Sequence, residues 1–160
     1  MIVFLWQAGT NDEMVRSDKI EKIVWSVALP GFAQFLNKKY FKGLVFVALE
    51  VLINVQARLN QAIIFSFHGE IQKAIEVTNY GWLMFYPCLY LFAIYDAYKD
   101  AGGGGPFSFL PFVISAYLGT IGVIYSPYLL GPIWLPMLFL VLGAVIGISL
   151  RNMIRRFTYT

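Results

Sequence analysis

The chain has 160 residues, of which 59% are apolar in the broad count and 13% are charged, about half the charged share of an ordinary soluble domain. A small soluble domain leaves too much of its surface exposed to hide that much apolar area, so lipid is the expected solvent. The net charge of +3 arises from basic groups scattered through short loops rather than gathered in one stripe with aromatic partners, which argues against a nucleic-acid partner.

In chain order, the first residues, MIVFLWQA, are too short for a span and lack the basic start and cleavage site of a signal peptide. They read as an interfacial anchor within a cytoplasmic segment, 1–22, in which Met14 is an alternative to Met1 as the start. Residues 23–36 (IVWSVALPGFAQFL) are an apolar stretch of 14 residues flanked by lysines. That length suits a re-entrant or interfacial segment better than a crossing. Proline removes a backbone donor and glycine permits unusual dihedrals, so Pro30-Gly31 predicts a helix, a turn and a second short helix against the cytoplasmic side. Carbonyls freed at such a break need internal partners, and Gln34 and Asn37 are the expected ones. The rival reading is that 23–36 spans, giving five crossings.

A bilayer core takes roughly 20 apolar residues per helical span, and four runs qualify: 43–67, 80–95, 107–125 and 132–150. The first begins GLVFVALEVLINV and then carries Gln56, Arg58, Asn60 and Gln61. Between the first and second, 68–79 predicts a short external amphipathic helix, with Ile71, Ala74 and Ile75 at helical spacing. Residues 96–106 (DAYKDAGGGGP) predict a flexible loop. The turn SPYLLGP is uncharged and expected at the interface with Tyr128, and 151–160 (RNMIRRFTYT) is a basic tail suited to anionic headgroups.

Lys and Arg concentrate in cytoplasmic loops. With both termini inside, ten of the twelve basic residues lie on the cytoplasmic side, leaving only Arg58 and Lys73 outside. The expected fold is therefore all-α: a single integral membrane helical bundle of four transmembrane helices plus a short re-entrant or interfacial N-terminal helix pair. Its expected location is the cell membrane, with N-terminus and C-terminus cytoplasmic.

Glu50 is the most suggestive ionisable group, because a charge inside a span is costly and faces a partner or a cavity. Asn54 and Arg58 follow at steps of four and predict one polar helix face. That face reads either as a seam that holds the bundle in register or as the wall of a polar path, and the seam is favoured because no second acidic residue lies in a span. Cys88, the only cysteine, falls within an apolar span and is expected to be a buried, inert thiol. His68, the only histidine, lies in an external loop without metal-ligand spacing around it. Gly102 to Gly105 lack the Lys-Ser/Thr sequel of a phosphate loop and read as a linker. No Ser-His-Asp or Cys-His set assembles, so neither an enzymatic activity nor a cofactor or metal is expected.

Two strings carry a resemblance: ALPGFAQFLNKKYFKGLVF, from Ala28, and IYDAYKDA, from Ile94. They resemble a PGxGQxYNxxxxKG pattern followed by DAYxxA, found in small multispanning bacterial membrane proteins, mostly uncharacterised, and in the N-terminal region of some Gram-positive sugar-importer permeases. Pro30, Gly31, Gln34, Asn37, Lys42 and Gly43 match, as do Asp96, Ala97, Tyr98 and Ala101. Ala33 replaces the usual second glycine and Leu36 the usual aromatic. The resemblance covers a little under half the chain and implies a multispanning bacterial protein without implying an activity. A permease subunit would also need a cytoplasmic coupling loop of the Glu-Ala-Ala type, which the short loops here lack.

The matching residues fall on the cytoplasmic side, where Asp96 is expected to pair with a lysine of NKKYFK as a structural staple. The favoured function is a non-enzymatic accessory or scaffold, partnered by the bilayer and by another membrane protein or itself. The alternative is a small transport subunit or oligomeric pore lined by Glu50, Asn54 and Arg58. A reporter fused after Lys42 is expected on the cytoplasmic side; finding it outside would establish the five-crossing reading.

Overall fold

A computed structural model describes residues 17, 20–22 and 24–158, and among these the chain is all-helical, with no strands. The expected N-terminal anchor and most of segment 1–22 lie outside the described residues. Residues 24–28 are helical and the chain bends at 29–31. Eight helices follow: α1 (Phe32–Leu36), α2 (Tyr40–Ala57), α3 (Leu59–Phe67), α4 (Ile71–Val77), α5 (Tyr80–Leu83), α6 (Tyr86–Asp100), α7 (Leu110–Tyr125) and α8 (Gly131–Thr158). Two of them, α2 and α8, are long and apolar enough to cross a membrane, and α7 is a shorter apolar helix.

The turn after residue 28 has a specific cause. Gly31 sits at φ +96°, and a Cβ built there would lie 2.8 Å from the Gly43 carbonyl oxygen and 2.9 Å from the Val47 amide nitrogen. A Cβ on Gly43 would in turn come within 3.0 Å of the Gly31 carbonyl oxygen. Only glycine satisfies both the left-handed dihedral at position 31 and this backbone-on-backbone approach. The Pro30-Gly31 turn is thereby laid directly on the first turns of α2.

Several helix limits differ from the expected spans. The run 43–67 is two helices: α2 ends at Ala57, and Arg58, at φ 56°, turns the chain into α3. A non-glycine residue there costs about 1 kcal/mol or more, and the turn offsets this by handing the Ala57 carbonyl to the Asn79 amide at 3.1 Å. The run 80–95 is interrupted at 84–85, and its second part, α6, continues to Asp100. DAYKD is thus helix rather than loop, because Ala97 is fully buried against its neighbours, and the connecting segment shrinks to 101–109. The third run starts at Leu110 rather than 107. The fourth extends through the basic tail as one continuous helix to Thr158. The segment 68–79 contains α4, as its spacing predicts.

α7 and α8 are antiparallel and in very close contact. A Cβ on Gly143 would lie 2.5 Å from Ser115 Cα, one on Gly122 would lie 2.8 Å from Pro136 Cα, and one on Gly147 would collide with Pro111. Small residues therefore line both sides of the seam, as in membrane helix pairs whose association depends on close backbone approach. Contacts between helix ends group the remaining elements. Lys42, Asp96 and Asp100 meet at one end of the bundle, and Gly105 lies beside Arg151. At the other end the Trp134 indole donates to the Ser66 carbonyl at 3.4 Å, and Gly131 abuts Ile71. Between these ends, Ile53, Ala57, Leu59, Ala62, Leu83, Val123 and Ile133 form the buried apolar core.

Gly143→Leu is expected to separate α7 from α8 and lower the thermal midpoint in detergent by more than an ordinary overpacking, which costs about 1–3 kcal/mol. Val141→Leu, on the exposed face of α8, should leave the midpoint unchanged.

Candidate functional site

α6 concentrates polar chemistry on one face, at Tyr86, Tyr90, Ala93, Asp96, Ala97 and Asp100, which recur at steps of three and four. The Tyr86 hydroxyl donates to Glu50 Oε1 at 2.9 Å. One turn further, the Tyr90 hydroxyl donates to the Val27 carbonyl at 2.8 Å. The Gln34 amide donates to the Ala93 carbonyl at 2.9 Å and approaches Asp96 Oδ2 at 3.3 Å. Asn37 donates to the Ala97 carbonyl at 3.1 Å. Lys42 closes the series, with Nζ 2.8 Å from Asp96 and 3.0 Å from Asp100.

This ladder binds the N-terminal hairpin and α2 to α6. Gln34 is fully buried, and its contact with a helix carbonyl uses that oxygen's second lone pair, so the α6 ladder need not open to receive it. The charges at the end follow from helix polarity. Lys42 lies in the first turn of α2 and Asp100 in the last turn of α6, each at the unfavourable end of its own helix dipole. Pairing them across antiparallel helices offsets both penalties.

The residues of the resembling strings thus meet in space: Gly31 rests on Gly43, Gln34 and Asn37 reach α6, and Lys42 reaches Asp96. Pro30 is buried at the turn. Tyr98 does not join them; its ring stacks on Phe112 of α7 at 6.2 Å. Gln34 and Asn37 also differ from expectation in their targets. They hold carbonyls of α6, not those freed at the Pro30-Gly31 break. The break's neighbouring carbonyl, Val27, is met by Tyr90 instead, because the short α1 directs Gln34 and Asn37 away from residues 26–30 and toward α6.

The expected continuous face of Glu50, Asn54 and Arg58 is not formed. Glu50 is buried, 8% exposed, and turned toward Tyr86. Asn54 bonds locally to Asn60 at 3.3 Å. Arg58 is exposed and leaves the helix because its own left-handed backbone ends α2. Cys88 is exposed rather than buried, since α6 turns it toward the groove beside α7, where its sulfur lies 3.7 Å from Thr120 Oγ1. His68 is exposed after α3, and no group of three potential metal ligands occurs among the described residues.

Sequence reasoning missed Tyr86, Tyr90 and Asp100. Their signal was present in the regular spacing from 86 to 100, hidden by reading the segment from Asp96 onward as a loop. No known protein family, no curated protein and no solved structure matches the chain.

Asp96→Ala is expected to cost about 1–2 kcal/mol of stability in detergent, because it removes the partner of Lys42 and a contact of buried Gln34. Asp100→Ala, which loses only the more exposed half of the ion pair, should cost less than about 1 kcal/mol. Denaturant unfolding of the two variants checks the order, and equal stability of both with wild type would contradict the staple.

Proposed function

We propose that this chain is a cell-membrane protein with four crossings and both termini in the cytoplasm, acting as a non-enzymatic accessory or scaffold through helix contacts. The observation that carries the reading is the division of its surface. The polar side chains of the ladder bond to carbonyls and to one another inside the molecule, while broad outer faces of α2 and α8 are apolar and uncovered, with Leu44, Val51 and Val55 on the first and Val141 and Val145 on the second all exposed. A surface of that kind suits lipid and neighbouring helices.

The pairing of helix ends supports the crossing number. Lys42 with Asp96 and Asp100, and Gly105 with Arg151, gather at one end, while Ser66, Ile71, Gly131 and Trp134 gather at the other. Lys38, Lys39, Lys42, Lys99, Arg151, Arg155 and Arg156 belong by chain position to the first end, and Arg58 and Lys73 to the second. That asymmetry favours a cytoplasmic first end. The short hairpin around Pro30-Gly31 stays on that side as a re-entrant or interfacial element bound to α6. The resemblance to small multispanning bacterial proteins agrees with this reading.

The transport alternative needs Glu50, Asn54 and Arg58 on one wall, and the end of α2 at Ala57 with Glu50 turned to Tyr86 speaks against it. Liposomes containing the purified chain are expected to pass protons and potassium no faster than empty ones, for wild type and Glu50→Gln alike. Flux in wild type that falls in Glu50→Gln would replace the accessory reading with the transport one.

A further inference from the structure

Between α6 and α7 lies an open apolar groove of about 680 Å³. Its α6 wall includes Cys88, Phe92 and Tyr95, and its α7 wall includes Val113, Ala116 and Thr120. The α6 positions continue at helical spacing to Lys99, so the groove's wall ends in a cation just before the glycine loop that joins the two helices.

That loop has the features of an anion cradle. The amides of Gly102 and Gly103 are used by the helix end, donating to the Lys99 and Tyr98 carbonyls. The amides of Gly104 and Gly105 donate to no acceptor among the described residues. Three polar side chains converge there: a Cβ at Gly104 would lie 3.8 Å from Lys99 Cγ and 3.8 Å from Ser108 Oγ, and one at Gly105 would lie 3.8 Å from Arg151 Nη2. Arg151 Nε is buried without a hydrogen-bond partner, and neither Lys99 nor Arg151 pairs with a described carboxylate. The nearest acidic side chain in sequence, Asp100, is engaged by Lys42. Phe107, at φ 59°, holds a left-handed backbone in the same loop, a conformation that a bulky residue adopts at a cost. Successive free amides beside cationic side chains bind oxyanions.

We propose that this loop and groove form a binding site for one anionic phospholipid, with the headgroup phosphate held by the Gly104 and Gly105 amides, Lys99, Ser108 and Arg151, and an acyl chain lying between α6 and α7. Charge complementarity selects the occupant. A neutral chain would fill the groove and leave two cations uncompensated, whereas a soluble anion would fill the cradle and leave the groove empty. The inference rests on the membrane reading above and adds a ligand class to it.

The test uses the full chain purified in mild detergent and titrated with phosphatidylglycerol or phosphatidylcholine of identical acyl chains, read by native mass spectrometry. One phosphatidylglycerol is expected to bind roughly thirtyfold more tightly than phosphatidylcholine, the effect of two basic groups near a headgroup. The Lys99→Ala/Arg151→Ala variant should lose that preference, and Lys39→Ala, at an exposed lysine elsewhere, should keep it. Ala116→Trp should weaken both lipids. Equal binding of the two lipids by wild type, or a preference that survives the double substitution, overturns the proposal. Displacement of phosphatidylglycerol by inorganic phosphate, together with full lipid binding by Ala116→Trp, would assign the cradle to a soluble anion and also overturn it.

A readout on the unaltered chain covers variants that fail to fold. Maleimide labelling of Cys88, the sole cysteine, should slow severalfold with phosphatidylglycerol and not with phosphatidylcholine; equal rates count against the proposal. Alkaline carbonate extraction separates the two levels. A chain that stays in the membrane but shows no lipid preference refutes this inference alone, whereas a chain released as soluble protein refutes the reading beneath it.

Discussion

The polar face of α6 is the constraint on which the rest of the arrangement depends. A helix break such as Pro30-Gly31 exposes backbone groups, and where they are buried away from water it persists only if other parts of the protein meet them. Tyr90 reaches the Val27 carbonyl, while Gln34 and Asn37 reach α6 carbonyls in return. Each side of the contact thus donates to the other, although Gln34 Oε1 is buried without a partner. Each such hydrogen bond contributes about 1 kcal/mol net, and a buried group left unmet costs more than that. The hairpin is therefore held as much by the penalty for releasing it as by the gain from binding it.

The two glycines at the base of the hairpin play a different part. Gly31 and Gly43 let two backbones touch, which fixes how far α1 lies from the start of α2 and so which α6 residues Gln34, Asn37 and Lys42 can reach. Sequence positions that look unrelated become one device: a turn, a close approach, two amide side chains and a lysine, all directed at three turns of one helix. α7 and α8 form a second unit built on another principle, small residues facing each other along an antiparallel seam. Few polar contacts are needed there, since Ser115 and Gly122 admit the facing backbone, Gly119 admits the Leu140 side chain, and dispersion contacts accumulate along the seam.

Much of this was legible in the sequence. Hydrophobic runs marked the stretches that hold the longer helices, though not their limits or breaks, and the Pro-Gly pair located the turn, because those signals depend on local chemistry alone. A pairing of Asp96 with a lysine of NKKYFK was legible from charge, and the structure singles out Lys42. What was not legible depended on tertiary partners. Arg58 reads as an ordinary helical residue until Asn79 is available to take the Ala57 carbonyl. DAYKD reads as a loop until Ala97 is seen to be buried, and with it Asp100 was missed. The face of Glu50, Asn54 and Arg58 was drawn on an unbroken helix, so the turn at Arg58 removed one of its members and Tyr86 claimed another. Cys88 reads as buried because it lies in an apolar run; it is exposed, and a single helix gives no sign of which neighbour leaves a groove beside it.

α6 holds the N-terminal hairpin through this ladder, while the α7–α8 seam takes no part in it. Hydrogen–deuterium exchange of wild type and Gln34→Leu/Asn37→Leu in detergent tests it most directly. Exchange is expected to accelerate in residues 32–37 and at the start of α2, with α7 and α8 unchanged. Unaltered exchange in the hairpin, or an equal increase along the whole chain, would contradict it.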